Sequence, residues 1–126
     1  MSGERVERRL TAVLAADLVG YSRLMGADEE GTARRLRMHR SAVEPVVVEH
    51  GGRIVKTTGD GMLIEFGSIV GAVQCAIAMQ QLTVEREARV PEDRRLRLRI
   101  GVHLGDVLYQ VSLIRTDVPN CAGRWT

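Results

Sequence analysis

Residues 53–66 have the sequence RIVKTTGDGMLIEF, in which two short runs rich in β-forming residues flank Gly59, Asp60 and Gly61. The Asp-Gly pair is preferred in tight hairpins because it accepts the positive φ angles that such turns require. The stretch therefore predicts a β-hairpin in the middle of the chain, with Asp60 in its turn.

A strand and a helix are predicted before this hairpin. Residues 10–17, LTAVLAAD, form a short apolar run that is typical of a buried strand. Apolar residues then recur with helical spacing over residues 33–47, after three acidic residues, and the Gly51-Gly52 pair ends the pattern. Pro45 predicts a kink or a restart of this helix, because proline removes one amide donor.

A second helix and a last strand are predicted after the hairpin. The helix is expected over about residues 68–88. In residues 95–104, aliphatic residues alternate with arginine, glycine or histidine, as in a half-buried strand. The resulting order is the ferredoxin-like βαββαβ arrangement. We therefore expect an α+β fold whose antiparallel sheet has its helices on one face and leaves the other face for a partner. The first two strands run in the same direction in this topology, so Asp17 and Asp60 should meet at one edge.

Length and composition limit the classes of protein to consider. The chain has 126 residues, 44% of them hydrophobic, which is typical of one globular domain. Its formal charge is only +2 and its arginines are scattered, so no nucleic-acid partner is expected. The apolar runs are too short for a membrane span, and the start MSGERVERRL lacks the apolar core of a signal peptide, so we expect a cytoplasmic protein with no membrane partner.

The two cysteines, Cys75 and Cys121, are far apart and in no metal-binding spacing. They therefore indicate neither a disulfide framework nor a zinc site, and Cys75, in an alanine-rich apolar stripe, is expected to pack in the core.

Asp17 and Asp60 together predict a metal site. Carboxylates at one edge are hard oxygen ligands suited to Mg²⁺ or Mn²⁺, which complete their coordination with substrate phosphates. Each acid also has a structural interpretation: Asp60 is common turn chemistry, and Asp17 could end its strand at the surface, although an acid after an apolar run is costly unless it is paired or bound.

Three further features extend this site towards a nucleotide. The turn Gly20-Tyr21-Ser22 precedes a helix whose first N–H groups could hold phosphate oxygens, although many such turns bind nothing. Lys56 could donate to N1 of adenine, and Arg99 could hold triphosphate oxygens. Alternatively, Arg99 belongs to a solvated strand face, and His103 is expected to be structural.

Three segments resemble, in order and spacing, the signature blocks of class III adenylyl cyclases of the bacterial type. They are DLVGYS at residues 17–22, HGGRIVKTTGDG at residues 50–61 and RIGVHLGD at residues 99–106. The resemblance extends over about residues 9–107.

This resemblance implies an enzyme that converts ATP to 3′,5′-cyclic AMP and pyrophosphate. It implies that Asp17, Asp60 and the Leu18 carbonyl hold two ions of Mg²⁺ or Mn²⁺, and that Arg99 and the Gly20-Tyr21-Ser22 turn hold the triphosphate. Asp17, Asp60 and Arg99 would be the catalytic residues. It also implies a head-to-tail homodimer, or a heterodimer with another cyclase chain, in which Lys56 of the other protomer selects adenine.

The resemblance ends near residue 107. The family pattern continues with a second adenine contact, a helix containing Asn-x-x-x-Arg and a phosphate-binding lysine, and residues 108–126 match none of these. We therefore expect an N-terminal tail over residues 1–8, a partial catalytic domain over residues 9–107 and a divergent tail over residues 108–126, as in a truncated or frameshifted product.

Three hypotheses follow for the function. The first is an active adenylate cyclase. The second is a catalytically impaired fragment that binds nucleotide and metal, or that dimerises with a complete cyclase and regulates it. The third is a ferredoxin-like domain that binds no nucleotide.

Overall fold

The computed structural model of the protein describes residues 11–104 and 107–111. The helices and strands follow one another along the chain as β1 (Ala12–Leu18), α1 (Tyr21–Ala27), α2 (Glu29–Glu49), β2 (Gly52–Thr57), β3 (Met62–Phe66), α3 (Ile69–Arg86), a short 3-10 helix (Glu92–Arg94), β4 (Leu98–Leu104) and β5 (Val107–Val111). None of the helices in this described part has both the length and the apolar character needed to cross a membrane.

The strands form one sheet in the order β2-β3-β1-β4-β5, and every neighbouring pair is antiparallel. The first four strands and the helices α2 and α3 give the predicted ferredoxin-like arrangement, to which β5 adds an edge strand that was not predicted. Since β1 and β2 are both antiparallel to β3, they run in the same direction. The predicted meeting of the end of β1 with the turn after β2 is therefore confirmed.

The helices α2 and α3 pack on one face of this sheet. Alternate residues of β1, from Ala12 to Leu18, are buried. Ala12, Leu14 and Ala16 share a core with residues of α2 and α3, and Leu18 packs in a second cluster with residues of α1 and α2. Cys75 lies fully buried in this core, as predicted, and burial raises the pKa of its thiol to about 11. No helix of the described residues lies on the other face of the sheet, so functional side chains can line it; we call this the helix-free face.

Helix α2 differs from its prediction at Pro45. The helix runs through Pro45 as one element, so the predicted restart is wrong. Val43 and Val47, on either side of the proline, are both buried against the sheet. We attribute the continuity to this packing, which holds the turns on both sides in place despite the missing amide donor.

The hairpin between β2 and β3 is present, but its turn is not the predicted one. Four residues, Thr58 to Gly61, join the strands, and the Thr58 N–H donates to the Gly61 carbonyl at 3.0 Å. Neither Gly59 nor Gly61 has a positive φ, because a loop of this length closes without a two-residue primed turn. Gly61 is instead required by close approach: a Cβ there would lie 2.8 Å from Thr58 Oγ1 and 3.1 Å from the Ala16 carbonyl oxygen.

Candidate active site

Asp17 and Arg99 form an ion pair on the helix-free face of the sheet. They are opposite each other in the register of β1 and β4. Arg99 Nε donates to Asp17 Oδ1 and Arg99 Nη2 to Asp17 Oδ2, both at 3.0 Å. These hydrogen bonds, together with the negative charges of Asp17 and then Asp60, raise the pKa of Arg99 above its ordinary value. Arg99 was predicted to hold triphosphate oxygens, but its guanidinium here contacts a carboxylate that was assigned to metal binding.

Asp60 lies at the same edge as Asp17. Its Oδ2 accepts a hydrogen bond from the backbone N–H of Leu18 at 3.3 Å, so the hairpin turn touches the end of β1 directly. Its negative charge also contributes to the raised pKa of Arg99. The two acids that the sequence pairs across the chain are thus close in space.

A cleft of about 280 Å³ opens beside these acids. Its lining comes from β1, β2, β3 and the hairpin turn, and consists of Ala16, Asp17, Lys56, Thr58, Asp60, Gly61, Met62 and Leu63. Lys56 therefore shares a cleft with both acids of its own chain. The cleft places one cation and two carboxylates around a space large enough for part of a nucleotide.

The Gly20-Tyr21-Ser22 turn lies outside the lining of this cleft. Gly20 adopts a left-handed conformation, with φ of 69°, directly before α1. Tyr21 approaches the hairpin turn, since a Cβ at Gly59 would lie 3.4 Å from the Tyr21 hydroxyl oxygen. The predicted phosphate turn is therefore a neighbour of the Asp60 turn and not a wall of the cleft.

A β-bulge at Val55 decides where Lys56 points, and sequence analysis missed it. Ile54 pairs with Ile64, while Lys56 pairs with Leu63, so Val55 has no partner of its own in the register. Ile64 is fully buried and Leu63 is exposed on the opposite face. In a regular strand Lys56, two residues after Ile54, would share its face, because side chains alternate along a strand. The unpaired Val55 shifts this alternation by one residue. The bulge therefore places Lys56 on the face of Asp17.

Arg40 of α2 is a second residue that sequence analysis missed. Its Nη2 donates to the carbonyl oxygens of Thr58 at 2.6 Å and Gly59 at 2.9 Å, with a longer contact of 3.4 Å to Gly61. Arg34, Arg35 and Arg37 precede it on the same helix. The sequence contains no signal that separates Arg40 from these neighbours, because only the packing of α2 shows which arginine reaches the turn.

The donor chemistry of the cleft fits a hard divalent cation. Asp17 and Asp60 supply carboxylate oxygens, which Mg²⁺ and Mn²⁺ prefer, and such ions usually bind through one or two carboxylates together with substrate phosphates. No group of three or more His, Cys, Asp or Glu residues that could hold a metal occurs among the described residues. The site therefore fits an ion that arrives with phosphates, and Arg99 already holds both oxygens of the Asp17 carboxylate that would receive it.

Comparison with known proteins identifies a family for this arrangement. The model of the adenylate and guanylate cyclase catalytic domain matches residues 6–117. A curated relative from Rhizobium meliloti (strain 1021), named putative adenylate cyclase 3, is 49% identical over 125 residues, which are 98% of this chain and 21% of the relative. An adenylate cyclase from Streptomyces coelicolor is 32% identical over 124 residues, which are 98% of this chain and 31% of the relative.

Solved structures with the same fold include cyclases named for either nucleotide. An adenylate/guanylate cyclase/hydrolase from Silicibacter pomeroyi superposes with a TM-score of 0.70 at 40% identity, covering 82% of this chain and 59% of that one. The guanylyl cyclase Cya2 superposes with a TM-score of 0.69 at 28% identity, covering 86% of this chain and 59% of that one. The chain spans less than a third of the length of these two curated relatives. Since the family model covers most of the chain, the protein belongs to the adenylate and guanylate cyclase catalytic domain family, the class III cyclases that its sequence resembles.

Proposed function

We propose that the protein acts as an adenylate cyclase, which converts ATP to 3′,5′-cyclic AMP and pyrophosphate in cyclic-nucleotide signalling. The observation that supports this most directly is the convergence of Asp17 and Asp60 on one cleft. The 49% identity to a relative named as a putative adenylate cyclase favours ATP over GTP. A cytoplasmic location follows as part of the proposal, because ATP is abundant there.

In this proposal the two acids hold the metal ions. Asp17 and Asp60, with the Leu18 carbonyl, bind two ions of Mg²⁺ or Mn²⁺ at the edge where β1 meets the hairpin turn. When bound, such ions favour ionisation of the ribose 3′-hydroxyl and neutralise charge on the phosphates. The 3′-oxygen attacks the α-phosphorus, a new P–O bond forms, and the bond to the departing pyrophosphate breaks.

Arg99 and the Gly20-Tyr21-Ser22 turn are assigned to the triphosphate. Arg99 is 60% exposed and its guanidinium has planar, forked donors, so it can turn from the Asp17 carboxylate to phosphate oxygens without unfolding the strand. The turn lies beside the hairpin loop and presents the first N–H groups of α1. Both groups would thus stabilise negative charge near the leaving pyrophosphate.

Lys56 is assigned to the nucleobase. Its ammonium donates hydrogen bonds, and N1 of adenine is an acceptor, whereas N1 of guanine is a donor. We propose that the functional unit is a head-to-tail homodimer, or a heterodimer with another cyclase chain, in which Lys56 serves the site of the other protomer. The helix-free sheet face exposes Leu63 and Val55 near Lys56, as expected of a surface that a partner covers.

The proposal is tested by measuring cyclic AMP production from ATP and Mn²⁺ by the purified chain, alone and mixed with a complete cyclase chain. Asp17→Asn and Asp60→Asn should abolish activity, because each removes a metal-binding charge. Asp93→Asn is the matched control, since Asp93 is an exposed acid on the short 3-10 helix. Activity that survives Asp17→Asn or Asp60→Asn would contradict the proposal.

Nucleotide choice is tested separately at Lys56. Lys56→Glu replaces a donor with an acceptor and should lower the ratio of ATP to GTP affinity. Metal and nucleotide binding without turnover, lost in Asp60→Asn, would instead indicate the non-catalytic binding or regulatory module. Wild-type protein that binds neither would support a ferredoxin-like domain with no nucleotide role.

A further inference from the structure

We propose that Arg40 is a positioning residue for this site, which holds the hairpin turn so that the Asp60 carboxylate faces the cleft. The inference rests on the proposed function for the role of Asp60. The contacts that support it are independent of any activity.

The first observation is the convergence of three carbonyl groups on one guanidinium. Arg40 Nη2 lies 2.6 Å from the Thr58 oxygen, 2.9 Å from the Gly59 oxygen and 3.4 Å from the Gly61 oxygen. These carbonyls belong to the residues on both sides of Asp60. Hydrogen bonds from a charged donor are stronger than neutral ones, so Arg40 adds a restraint to the turn beyond its own backbone bond.

The second observation is that Arg40 extends from a fixed support. Val43, one turn along α2, is fully buried in the core. His39, the preceding residue, is buried and its Nε2 lies 2.7 Å from Thr83 Oγ1 of α3. The helix therefore cannot shift without disturbing the core, and Arg40 links that rigid support to an otherwise short turn.

The third observation is the burial of one guanidinium nitrogen of Arg40. Its Nε is buried and has no hydrogen-bond partner among the described residues. Burial of a polar atom without a hydrogen bond costs free energy. An arginine with no structural contact would avoid that cost by extending into solvent, as the exposed Arg34 and Arg37 do on the same helix. The contacts of Arg40 Nη2 with the turn carbonyls explain why Nε stays buried without a partner.

Asp60 depends on this restraint because its own contacts are few. Its side chain accepts one long hydrogen bond, 3.3 Å from the Leu18 N–H. Residues that orient a metal ligand without touching the metal typically change metal affinity 10- to 100-fold when replaced. We therefore expect loss of the Arg40 guanidinium to loosen the turn and weaken metal binding while Asp60 itself is unchanged.

The test compares Arg40→Met and Arg40→Lys with Arg37→Met, a control that removes an exposed arginine from the same helix. Hydrogen exchange of the amides of residues 58–61 is measured in the metal-free chain, and Mn²⁺ affinity is measured by electron paramagnetic resonance. We expect Arg40→Met to speed exchange in the turn and to weaken Mn²⁺ binding by roughly 10- to 100-fold. Exchange in β1 and β4 should stay as in the wild type, and Arg37→Met should match the wild type in both measurements.

A folded Arg40→Met chain with wild-type turn exchange and wild-type Mn²⁺ affinity would overturn the inference. If Arg40→Met does not fold, Arg40→Lys decides, because a compact ammonium cannot satisfy the same set of carbonyls; unchanged turn exchange in that variant also overturns it. A purely structural role would lower global stability without a selective effect on the turn and on Mn²⁺ binding.

The outcomes for the inference and for the proposed function are distinct. Faster turn exchange in Arg40→Met supports the inference even if the wild type makes no cyclic AMP. Cyclic AMP production by the wild type, combined with no effect of Arg40→Met on the turn, overturns the inference alone.

Discussion

Both carboxylate oxygens of Asp17 accept hydrogen bonds from the guanidinium of Arg99, each at 3.0 Å. The pair is opposite in the register of β1 and β4, so the sheet itself brings the two groups together. An acid proposed to bind metal is therefore held by a cation proposed to bind phosphate. Under this proposal, binding of a metal–nucleotide complex would replace the contact between Asp17 and Arg99 by a contact of Asp17 with the metal and a contact of Arg99 with a phosphate.

Replacement of Arg99 should separate these two roles. In Arg99→Ala, Mn²⁺ alone should bind more tightly than in the wild type, by no more than about fivefold, because exposed ion pairs are worth roughly 0.2–1 kcal/mol. Affinity for Mn²⁺ with ATP should fall, because the triphosphate loses its guanidinium. Isothermal titration calorimetry measures both, with Arg97→Ala, which removes an exposed arginine paired with Glu92, as the control. If Arg99→Ala bound both Mn²⁺ alone and Mn²⁺ with ATP more tightly than the wild type, the proposed role of Arg99 in holding the triphosphate would be refuted.

Deletion of Val55 should leave Lys56 on the face of Asp17. The deletion removes the unpaired residue, so the pairs of Ile54 with Ile64 and of Lys56 with Leu63 become consecutive in a regular ladder, with Ile54 and Lys56 on opposite faces. The free energy of unfolding should change by less than about 1 kcal/mol, because no side chain moves to the core face. Urea unfolding measures this change.

Lys56 is the single lysine in the sequence, so the rate of its acetylation reports its exposure directly. Val55→Thr keeps the extra residue and should leave both stability and acetylation near the wild type. A deletion variant in which Lys56 is acetylated much more slowly, or in which stability falls, would contradict the assignment of the unpaired position to Val55.

Gly61→Ala should destabilise the hairpin turn. The added Cβ would lie 2.8 Å from Thr58 Oγ1 and 3.1 Å from the backbone oxygen of Ala16, and overpacking of this kind costs about 1–3 kcal/mol. Gly67→Ala is the matched control, because a Cβ there meets nothing within 4 Å. Thermal unfolding compares them, and equal melting temperatures for the two variants would contradict the close approach.

The buried His39 should make stability depend on pH. Burial, followed by the charges of Arg86 and Arg40, lowers its pKa from 6.5 to about 4. Below pH 6.5 the unfolded chain therefore binds a proton that the folded chain does not, and the free energy of unfolding decreases as pH falls towards 4. The loss from this group between pH 7 and pH 5 is roughly 2 kcal/mol.

His39→Gln tests this origin of the pH dependence. Glutamine can still hydrogen bond to Thr83 but does not titrate, so the unfolding free energy of this variant should change less between pH 7 and pH 5. Urea titrations at each pH measure the slopes for both proteins. Parallel slopes would assign the pH dependence to other groups.

Local patterns in the sequence predicted much of the fold. The alternation over residues 95–104 gave strand β4 with Ile100 and Val102 buried, since side chains of a strand alternate between faces. The apolar run before Asp17 gave β1, and the turn residues around Asp60 gave the hairpin. The type of that turn was predicted wrongly, because loop length and the close approach of Ala16, both set by packing, determine its backbone angles.

The sequence by itself determined the chemistry of the candidate site: two acids at one sheet edge, one lysine and one arginine, within a ferredoxin-like order of elements. Only the tertiary structure decided which face Lys56 occupies, that Arg99 holds Asp17, and that Arg40 holds the turn of Asp60. The reason is physical. Strand and helix patterns depend on residues a few positions apart, whereas these three contacts depend on the register of neighbouring strands and on the packing of α2 beneath the turn, which bring together residues that are distant along the chain.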